Sequence, residues 1–384
     1  MKKKKVLVWE TLATVSGGQK MTLTIMDMLS EQYEFYCLIP EKGLLSDELD
    51  RRNISYVLMG DQSLPAGVKG KKVIFRYGWM SLKNIWKSIS VIRNYRPDIL
   101  YAPGPAALPW SAICGSLTHK PVIWHLHHNF LDGATKKLLN ICSSWKSVKS
   151  IIAVSNCVGT QIESAKSVNK INVIYNPVDL KKYASGNASK VKHEIAEKLK
   201  YSSESNSEIR IVLGQVALIQ EAKKQWFTID LIKELRNRGY DAVGIFAGEC
   251  RKSKYMEELY EKAEKCGIKH QVAFLGRRND IPDLLKIMDA LIIPSVEGFP
   301  LAGLEAAAAG VPVIACNVAG AKEFICVSGD GSCYMEDDLE DAVRATEDIL
   351  KNRDEMIKNG KVLAEKMTNL DYMENIKKVF AQSI

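Results

Sequence analysis

The chain has 384 residues, of which 46% are hydrophobic and 26% charged, the proportions of an ordinary globular protein. Its length exceeds what one hydrophobic core usually accommodates, so two domains are expected. No segment approaches the roughly 20 apolar residues of a membrane span, and nine cysteines without a C-x-x-C pair are typical of a cytoplasmic protein.

Charge is distributed unevenly along the chain. Residues 1–183 contain 25 Lys+Arg and 13 Asp+Glu, a net charge of +12, whereas the remainder has a net charge of −4. A basic half can meet nucleic acid, an anionic membrane or a phosphorylated acceptor. No nucleic-acid-binding motif accompanies the basic residues, so the sequence favours a membrane surface or an anionic acceptor over nucleic acid.

Strands and helices alternate through the first half, which predicts a parallel doubly wound sheet. The predicted strands are residues 5–10, 33–40, 73–76, 97–102, 121–129 and 151–156, and residues 173–179 close the half. The predicted helices are residues 21–29, 43–52, 79–95 and 134–150.

Two adjacent glycines, Gly17 and Gly18, follow the first predicted strand. Glycines at such a turn let a phosphate or a sugar approach the backbone closely. The alternative is a strand-to-helix turn without a ligand. We interpret the pair as a contact with a bound ligand.

The predicted helix at 79–95 is amphipathic and basic. Its apolar residues at helical spacing are Trp79, Leu82, Trp86, Ile89 and Ile92. We interpret this stripe as a face buried in the core. The alternative is a basic, tryptophan-bearing helix that lies on a membrane.

Three histidines, His125, His127 and His128, lie at the end of the predicted strand 121–129. Strand geometry places His125 and His127 on one face and His128 on the other. A metal site would need further ligands, and no carboxylate or cysteine is suitably placed nearby in sequence. A structural role for neutral imidazoles is the other alternative.

A segment rich in serine, asparagine and lysine, residues 184–208, indicates a domain boundary. The predicted domains are therefore residues 1–183 and 184–369. The predicted strands of the second domain are residues 209–214, 243–248, 272–276 and 291–294, and a further strand starts at 311. Its predicted helices are residues 190–199, 226–238, 253–266, 281–288, 301–309, 338–351 and 353–368.

The segment from residue 294 to 325 carries the strongest pattern in the chain. A buried strand ends at Pro294, a tight loop follows, and an apolar helix starts near Pro300. Such a helix start favours a phosphate. Glu297 in the loop could accept hydrogen bonds from hydroxyl groups. Glu305 within the apolar helix needs a partner, either a ribose diol or a lysine or arginine.

Glu297 and Glu305, separated by seven residues, resemble the glutamate-x7-glutamate motif of retaining glycosyltransferases of family four, which have the GT-B fold. The resemblance implies an α/β protein with two Rossmann-like domains facing across a cleft. It implies that Glu297 contacts the donor sugar and Glu305 the nucleotide ribose. It also implies that the last helix, residues 370–384, packs back on the N-terminal domain.

Further positions match the family by resemblance. The loop residues Phe299, Pro300 and Leu301 are expected to border the nucleotide. Gly17 and Gly18 resemble the family's first glycine loop. His127 best matches the histidine that faces the donor sugar, with His125 and His128 as alternatives.

The segment after Gly214 departs from the family pattern. Lys223 matches the lysine that holds the diphosphate, but Gln215 stands where arginine is common. Lys224 or Arg277 could supply the missing charge. A lysine at that position would offset the negative charge that develops on a leaving diphosphate. We therefore expect no metal and no cofactor.

The resemblance implies sugar transfer from a nucleotide diphosphate sugar, with UDP preferred, to an acceptor hydroxyl with retained configuration. A sugar, a lipid-linked molecule or a protein could be the acceptor, in cell-surface polysaccharide or glycoconjugate synthesis at the inner face of a membrane. Two alternatives remain. One is an inactive GT-B partner of another transferase, and the other is a sugar-nucleotide epimerase.

Overall fold

The computed structural model describes residues 2–60, 71–130, 132–199 and 210–383. The chain forms two compact units. The first contains Met1–Asn176 together with Leu370–Ile384, and the second contains Pro177–Asn369. The sequence places the boundary at residue 184 instead.

The first unit is built on a seven-stranded parallel sheet. Its strands are β1 (Lys4–Trp9), β2 (Tyr33–Ile39), β3 (Ser55–Leu58), β4 (Ile99–Ala102), β5 (Val122–Leu126), β6 (Val148–Ala153) and β7 (Ile171–Val173). Its helices are α1 (Gly17–Leu29), α2 (Leu44–Arg51), α3 (Lys71–Tyr95), α4 (Leu108–Thr118), α5 (Gly133–Ser143) and α6 (Asn156–Gly159). The strand order is β3-β2-β1-β4-β5-β6-β7, so the order reverses where β1 lies beside β4.

The second unit has a six-stranded parallel sheet of order β10-β9-β8-β11-β12-β13. Its strands are β8 (Arg210–Val216), β9 (Asp241–Ala247), β10 (Val272–Phe274), β11 (Ala290–Ile293), β12 (Val313–Cys316) and β13 (Gly331–Tyr334). Its helices are α7 (Leu180–Ala184), α8 (Ser189–Lys198), α9 (Gln225–Asn237), α10 (Ser253–Lys265), α11 (Ile281–Leu285), α12 (Leu301–Ala309), α13 (Ala319–Ser328) and α14 (Leu339–Lys366). Helix α14 contains a kink at Asn352, where the sequence predicts a break between two helices.

The final helix, α15 (Asn369–Gln382), packs on the sheet of the first unit. Its buried face contributes Tyr372, Ile376, Val379 and Phe380 to that core. Phe380 meets Tyr33 of β2 edge to face, with ring centroids 5.5 Å apart. The predicted α/β class with two Rossmann-like sheets is confirmed.

Two predicted elements of the first unit are wrong. Residues 73–76, predicted as a strand, lie inside helix α3, and the neighbouring strand is Ser55–Leu58. Four apolar residues are too few to separate a strand from a helix turn by periodicity. The predicted helix 134–150 ends at Ser143, and β6 starts at Val148.

The predicted burial of the α3 stripe is wrong for three residues. Trp79 is 72% exposed, Leu82 56% and Trp86 77%, whereas Ile92 is buried. The periodic pattern identified an apolar face correctly, but periodicity does not say whether a neighbouring element covers that face. Among the residues described, no helix is both long enough and apolar enough to cross a bilayer.

Candidate active site

The second unit brings two predicted site residues into contact where its strand order reverses. Strand β8 lies between β9 and β11, and ligands of such sheets bind beyond the carboxyl ends of the strands at this point. Lys223 follows β8, and Glu297 follows β11. The Lys223 ammonium nitrogen Nζ lies 2.5 Å from Glu297 Oε1. The Ser295 hydroxyl donates to the same carboxylate oxygen at 2.6 Å.

The backbone around Glu297 is tightly packed. The Gly320 N–H donates to the Glu297 carbonyl at 2.9 Å. A Cβ atom on Gly320 would lie 1.8 Å from the carbonyl oxygen of Gly298, so only glycine fits there. The preceding residue, Ala319, has a φ of +52°, a left-handed conformation that disfavours residues with a Cβ atom. These contacts hold the Glu297 loop in one conformation.

Helix α12 starts directly after this loop. Pro300 occupies the N-cap, where no side chain caps the helix, and first-turn N–H groups have no partner within a helix. The Phe299 ring is buried against Phe324, with centroids 5.6 Å apart. Phe299 and Pro300 are buried and Leu301 is half-buried. The helix start can therefore offer backbone N–H groups to an anion.

Glu305 lies on α12 and has a partner that the sequence did not predict. The Tyr183 hydroxyl of α7 donates to Glu305 Oε1 at 2.5 Å. Burial and the neighbouring Glu305 carboxylate raise the pKa of Tyr183, so this phenol remains a neutral donor. Neither a lysine nor an arginine is needed to hold the carboxylate in place.

Three other residues were considered for the diphosphate site, and their surroundings differ: Gln215, Lys224 and Arg277. Gln215 is buried, donates from Nε2 to the Lys223 carbonyl at 2.6 Å and accepts from Thr228 at 2.8 Å. Its side chain therefore orders the loop that carries Lys223. Lys224 forms ion pairs with two carboxylates of the segment after β13, at 2.7 and 2.8 Å. Arg277 is exposed and follows the edge strand β10.

A buried carboxylate that the sequence analysis missed lies in the first unit. Glu10 follows β1 and is 2% exposed. It accepts hydrogen bonds from Gln19 at 2.8 Å and from Thr22 at 2.5 Å, both on α1. Burial raises its pKa to about 7, and these hydrogen bonds oppose the rise. The available signal was an acidic residue directly after the four apolar residues that end β1.

Two histidines of the first unit, His125 and His127, are held neutral by burial. The Tyr101 hydroxyl lies 2.6 Å from His125 Nδ1, and burial lowers the His125 pKa to about 3. The centroids of the His127 and His125 rings lie 3.9 Å apart. Burial is the main cause that lowers the pKa of His127, and the neighbouring His125 and His128 lower it further. His127 Nε2 is buried and finds no hydrogen-bond partner in the described part of the chain. His128 is exposed.

His127 lies beside the glycine loop. A Cβ atom on Gly18 would come within 3.7 Å of the His127 ring, and Gly17 is exposed at the start of α1. Across residues 2–60, 71–130, 132–199 and 210–383, no cluster of three or more His, Cys, Asp or Glu is arranged to hold a metal ion. The imidazole, the glycines and Glu10 thus border the carboxyl end of the first sheet.

Two family models match successive parts of the chain. The model for Glycosyltransferase Family 4 matches residues 15–182, and the model for Glycosyl transferases group 1 matches residues 197–363. The first match covers most of the first unit, and the second covers most of the second unit.

Named relatives agree with these models. An Escherichia coli protein, the UDP-Gal:alpha-D-GlcNAc-diphosphoundecaprenol alpha-1,3-galactosyltransferase, is 25% identical over 89% of this chain and 88% of its own. The Anabaena protein HepE, solved with UDP-glucose, superposes with a TM-score of 0.79 at 18% identity, covering 98% of this chain and 99% of that chain. The lipopolysaccharide outer core galactosyltransferase WaaB has a TM-score of 0.69 at 15% identity over 99% of this chain and all of its own.

Proposed function

Because this chain belongs to the family 4 type of GT-B glycosyltransferases, we propose that it transfers a sugar from a UDP-sugar to an acceptor hydroxyl with retained configuration. The proposed product is a glycolipid or a cell-surface polysaccharide. The E. coli relative, whose name specifies UDP-Gal and a lipid-linked acceptor, supports this choice. The Anabaena complex with UDP-glucose supports the nucleotide.

The observation that carries the proposal is the contact between Lys223 and Glu297 at the ends of β8 and β11. Each side chain is about one quarter exposed, so a ligand can reach both. A diphosphate would attract the ammonium group, while the carboxylate would accept hydrogen bonds from sugar hydroxyls. In the absence of the UDP-sugar, the ammonium group of Lys223 and the carboxylate of Glu297 neutralise each other. Binding of the UDP-sugar would replace this ion pair by contacts with the substrate.

The remaining groups of this site suit the rest of the donor. First-turn N–H groups of α12 would bind phosphate oxygens. Glu305, held by Tyr183 through one oxygen, would accept hydrogen bonds from the ribose diol. With Lys223 and the helix start opposing the charge of the diphosphate, the proposed mechanism requires no metal ion.

In the proposed reaction, the bond between the anomeric carbon and the β-phosphate oxygen breaks, and its electron pair leaves with UDP. The acceptor oxygen forms the new bond on the same face of the sugar. Its proton passes to the departing phosphate, so a separate carboxylate base is not required. Lys223 stabilises the negative charge that develops on the phosphate oxygens.

The first unit is proposed to serve the acceptor side. Its cluster of Glu10, His127 and the glycine pair lies at the carboxyl end of the sheet, where β1 adjoins β4. His127 Nε2, which has no hydrogen-bond partner among the described residues, can exchange a hydrogen bond with a hydroxyl group. We also propose that the protein acts at the surface of a membrane.

A donor-turnover assay tests the proposed function. Release of UDP and of labelled product would be measured with a panel of UDP-sugars, using a membrane extract as the source of acceptor. Removing one charge-stabilising group typically lowers kcat about 100-fold to 1,000-fold, so Lys223→Gln should cause a loss of this size. Glu297→Gln should also lose turnover, and Lys233→Gln, an exposed lysine on α9, is the matched control.

The assay separates the proposal from its alternatives. Turnover that requires the extract and ceases in Lys223→Gln supports a transferase. Interconversion of the donor without any extract would identify an epimerase. Equal turnover in Lys223→Gln and Lys233→Gln would remove the proposed role of the ion pair. Retention is tested by the anomeric proton coupling of the isolated product.

A further inference from the structure

Helix α3 presents a continuous apolar stripe to solvent. The stripe consists of Phe75, Trp79, Leu82 and Trp86, which are 80%, 72%, 56% and 77% exposed. At 3.6 residues per turn, these four side chains fall within about 60° of one another around the helix axis. Isolated exposed apolar residues are ordinary, but a contiguous group with two tryptophans and a phenylalanine indicates an interaction surface.

The opposite face of α3 is firmly attached to the first unit, so the exposure of the stripe does not result from a loosely packed helix. Ile85 and Ile92 are buried. The Trp9 indole of β1 donates to Ser88 at 3.0 Å. The Tyr77 ring stacks on Trp110 of α4, and its hydroxyl donates to a backbone carbonyl at 2.9 Å. These contacts fix which face of the helix points outward.

Basic side chains border the stripe along one flank. Helix α3 contains six lysines and arginines and no acidic residue. Four of them lie about 60° to 120° from the centre of the stripe, namely Lys72, Arg76, Lys83 and Lys87, and all four are exposed. The unit that carries this helix is also the basic half of the chain.

We propose that this face of α3 docks the protein on an anionic lipid bilayer. The indole and phenyl rings would enter the interface between head groups and acyl chains, which tryptophan favours. The lysines would lie level with the anionic head groups. A protein partner would need acidic residues opposite the basic flank and pockets for the aromatic rings along the stripe. An anionic bilayer supplies both the negative charge and the apolar region.

The proposal rests on the proposed action at a membrane surface. Vesicle flotation with the full chain tests it without any donor or acceptor, so lipid binding and sugar transfer can fail separately. Two sets of vesicles would be used, one of phosphatidylcholine and one containing about one quarter phosphatidylglycerol. The protein should float with the anionic vesicles at low salt and less so at high salt. Failure to bind anionic vesicles overturns the proposal.

Variants assign the binding to α3. Each tryptophan-to-serine change, at Trp79 and at Trp86, should lower the partition coefficient about tenfold or more. Each lysine-to-glutamine change, at Lys72 and at Lys83, should lower it about fivefold. A matched apolar control is Val362→Ser on α14, an exposed residue of the second unit, which should bind as the unchanged protein does.

Brominated lipids locate the contact directly, because bromine quenches only the tryptophans that enter the bilayer. The double variant Trp79→Phe, Trp86→Phe should keep its affinity for vesicles and lose the quenching. Unchanged quenching, or unchanged flotation of the double serine variant, would show that another surface binds lipid. A dimer that the serine changes dissociate, without vesicle binding by the unchanged protein, would show that a second copy covers the stripe.

Discussion

The pH dependence of stability in the second unit is expected to depend on Asp330, the residue before β13. It is fully buried, and neither carboxyl oxygen finds a hydrogen-bond partner within the described residues. Its side chain packs against Gly360 of α14, where a Cβ atom would lie 2.5 Å from Oδ1. Burial raises the Asp330 pKa from 3.8 to about 9, so the folded protein holds a proton that the unfolded chain releases.

The size and sign of the effect follow from proton linkage. A pKa that is raised on folding stabilises the protein below the unfolded pKa, and this stability is lost as pH rises towards the folded pKa. The loss amounts to about 1.4 kcal/mol per pH unit between these limits. Between about pH 7 and about pH 8.5, the free energy of unfolding should therefore fall by roughly 2 kcal/mol.

Comparison with Asp330→Asn separates Asp330 from the other buried groups, which contribute equally to both proteins. Glu10, with a folded pKa of about 7, still releases part of its proton in this window. Burial also raises the pKa of thiols such as those of Cys114 and Cys316, so these groups lower the stability of both proteins as pH rises. Burial lowers the pKa values of His125 and His127, so these two imidazoles are neutral in the folded protein throughout the window. Replacing the carboxyl by an amide in Asp330→Asn removes this titration and keeps the shape, so the variant should lose about 2 kcal/mol less over the same pH range.

Urea titrations of both proteins at the two pH values measure the difference in slope. Hydrogen exchange of the peptide that covers β13 would confirm that the transition belongs to the second unit. The two proteins are compared only in how their free energy of unfolding changes with pH, because the amide introduced by Asp330→Asn occupies the same buried position as the carboxyl. Parallel curves for the two proteins would refute it and would show that the Asp330 carboxyl is ionised in the folded state.

Three further predictions concern local contacts. Tyr101→Phe removes the hydrogen bond to His125 and should lower the free energy of unfolding by about 1–3 kcal/mol. The control is Tyr372→Phe, which should cost almost nothing because the Tyr372 hydroxyl lacks a partner among the described residues. Equal losses in the two variants would contradict this prediction. Gly320→Ala forces a Cβ atom onto a carbonyl oxygen, and thermal denaturation should show a loss of about 3 kcal/mol or more. Ala319→Gly relieves a left-handed alanine and should stabilise the protein by up to about 1 kcal/mol, and a loss of stability would count against strain there.

The features that the sequence predicted well are those with a local signal. Alternating apolar runs and amphipathic periods predict most strands of both parallel sheets, because these elements show their own pattern within about ten residues. The short strands β3 and β13 were not predicted. The kink at Asn352 lies between two helices that the sequence separates. Lys223 and Glu297 were expected in one site from the resemblance to family four, and the two side chains are in contact in the structure.

The features that the sequence did not predict depend on contacts between distant segments. Tyr183 meets Glu305 across 122 positions of the chain, and no local pattern pairs a tyrosine with a carboxylate at that range. From the sequence, Gln215 in place of arginine indicated a weakened diphosphate site. In the structure its amide donates to the Lys223 carbonyl and orders the loop that carries Lys223. The α3 stripe shows the same limit, since its spacing reveals a face and its exposure depends on the neighbouring elements.

The central claim is that the second unit binds a nucleotide diphosphate through Lys223 without requiring a metal ion. Its most direct test is thermal denaturation with UDP, GDP and ADP, each measured with and without excess EDTA. Ligand at about 100 times its dissociation constant should add roughly 2.7 kcal/mol of stability. We predict that UDP gives this shift in EDTA, that Lys223→Gln loses it, and that Lys233→Gln retains it. No shift with any nucleotide, or a shift that EDTA abolishes, would contradict the account.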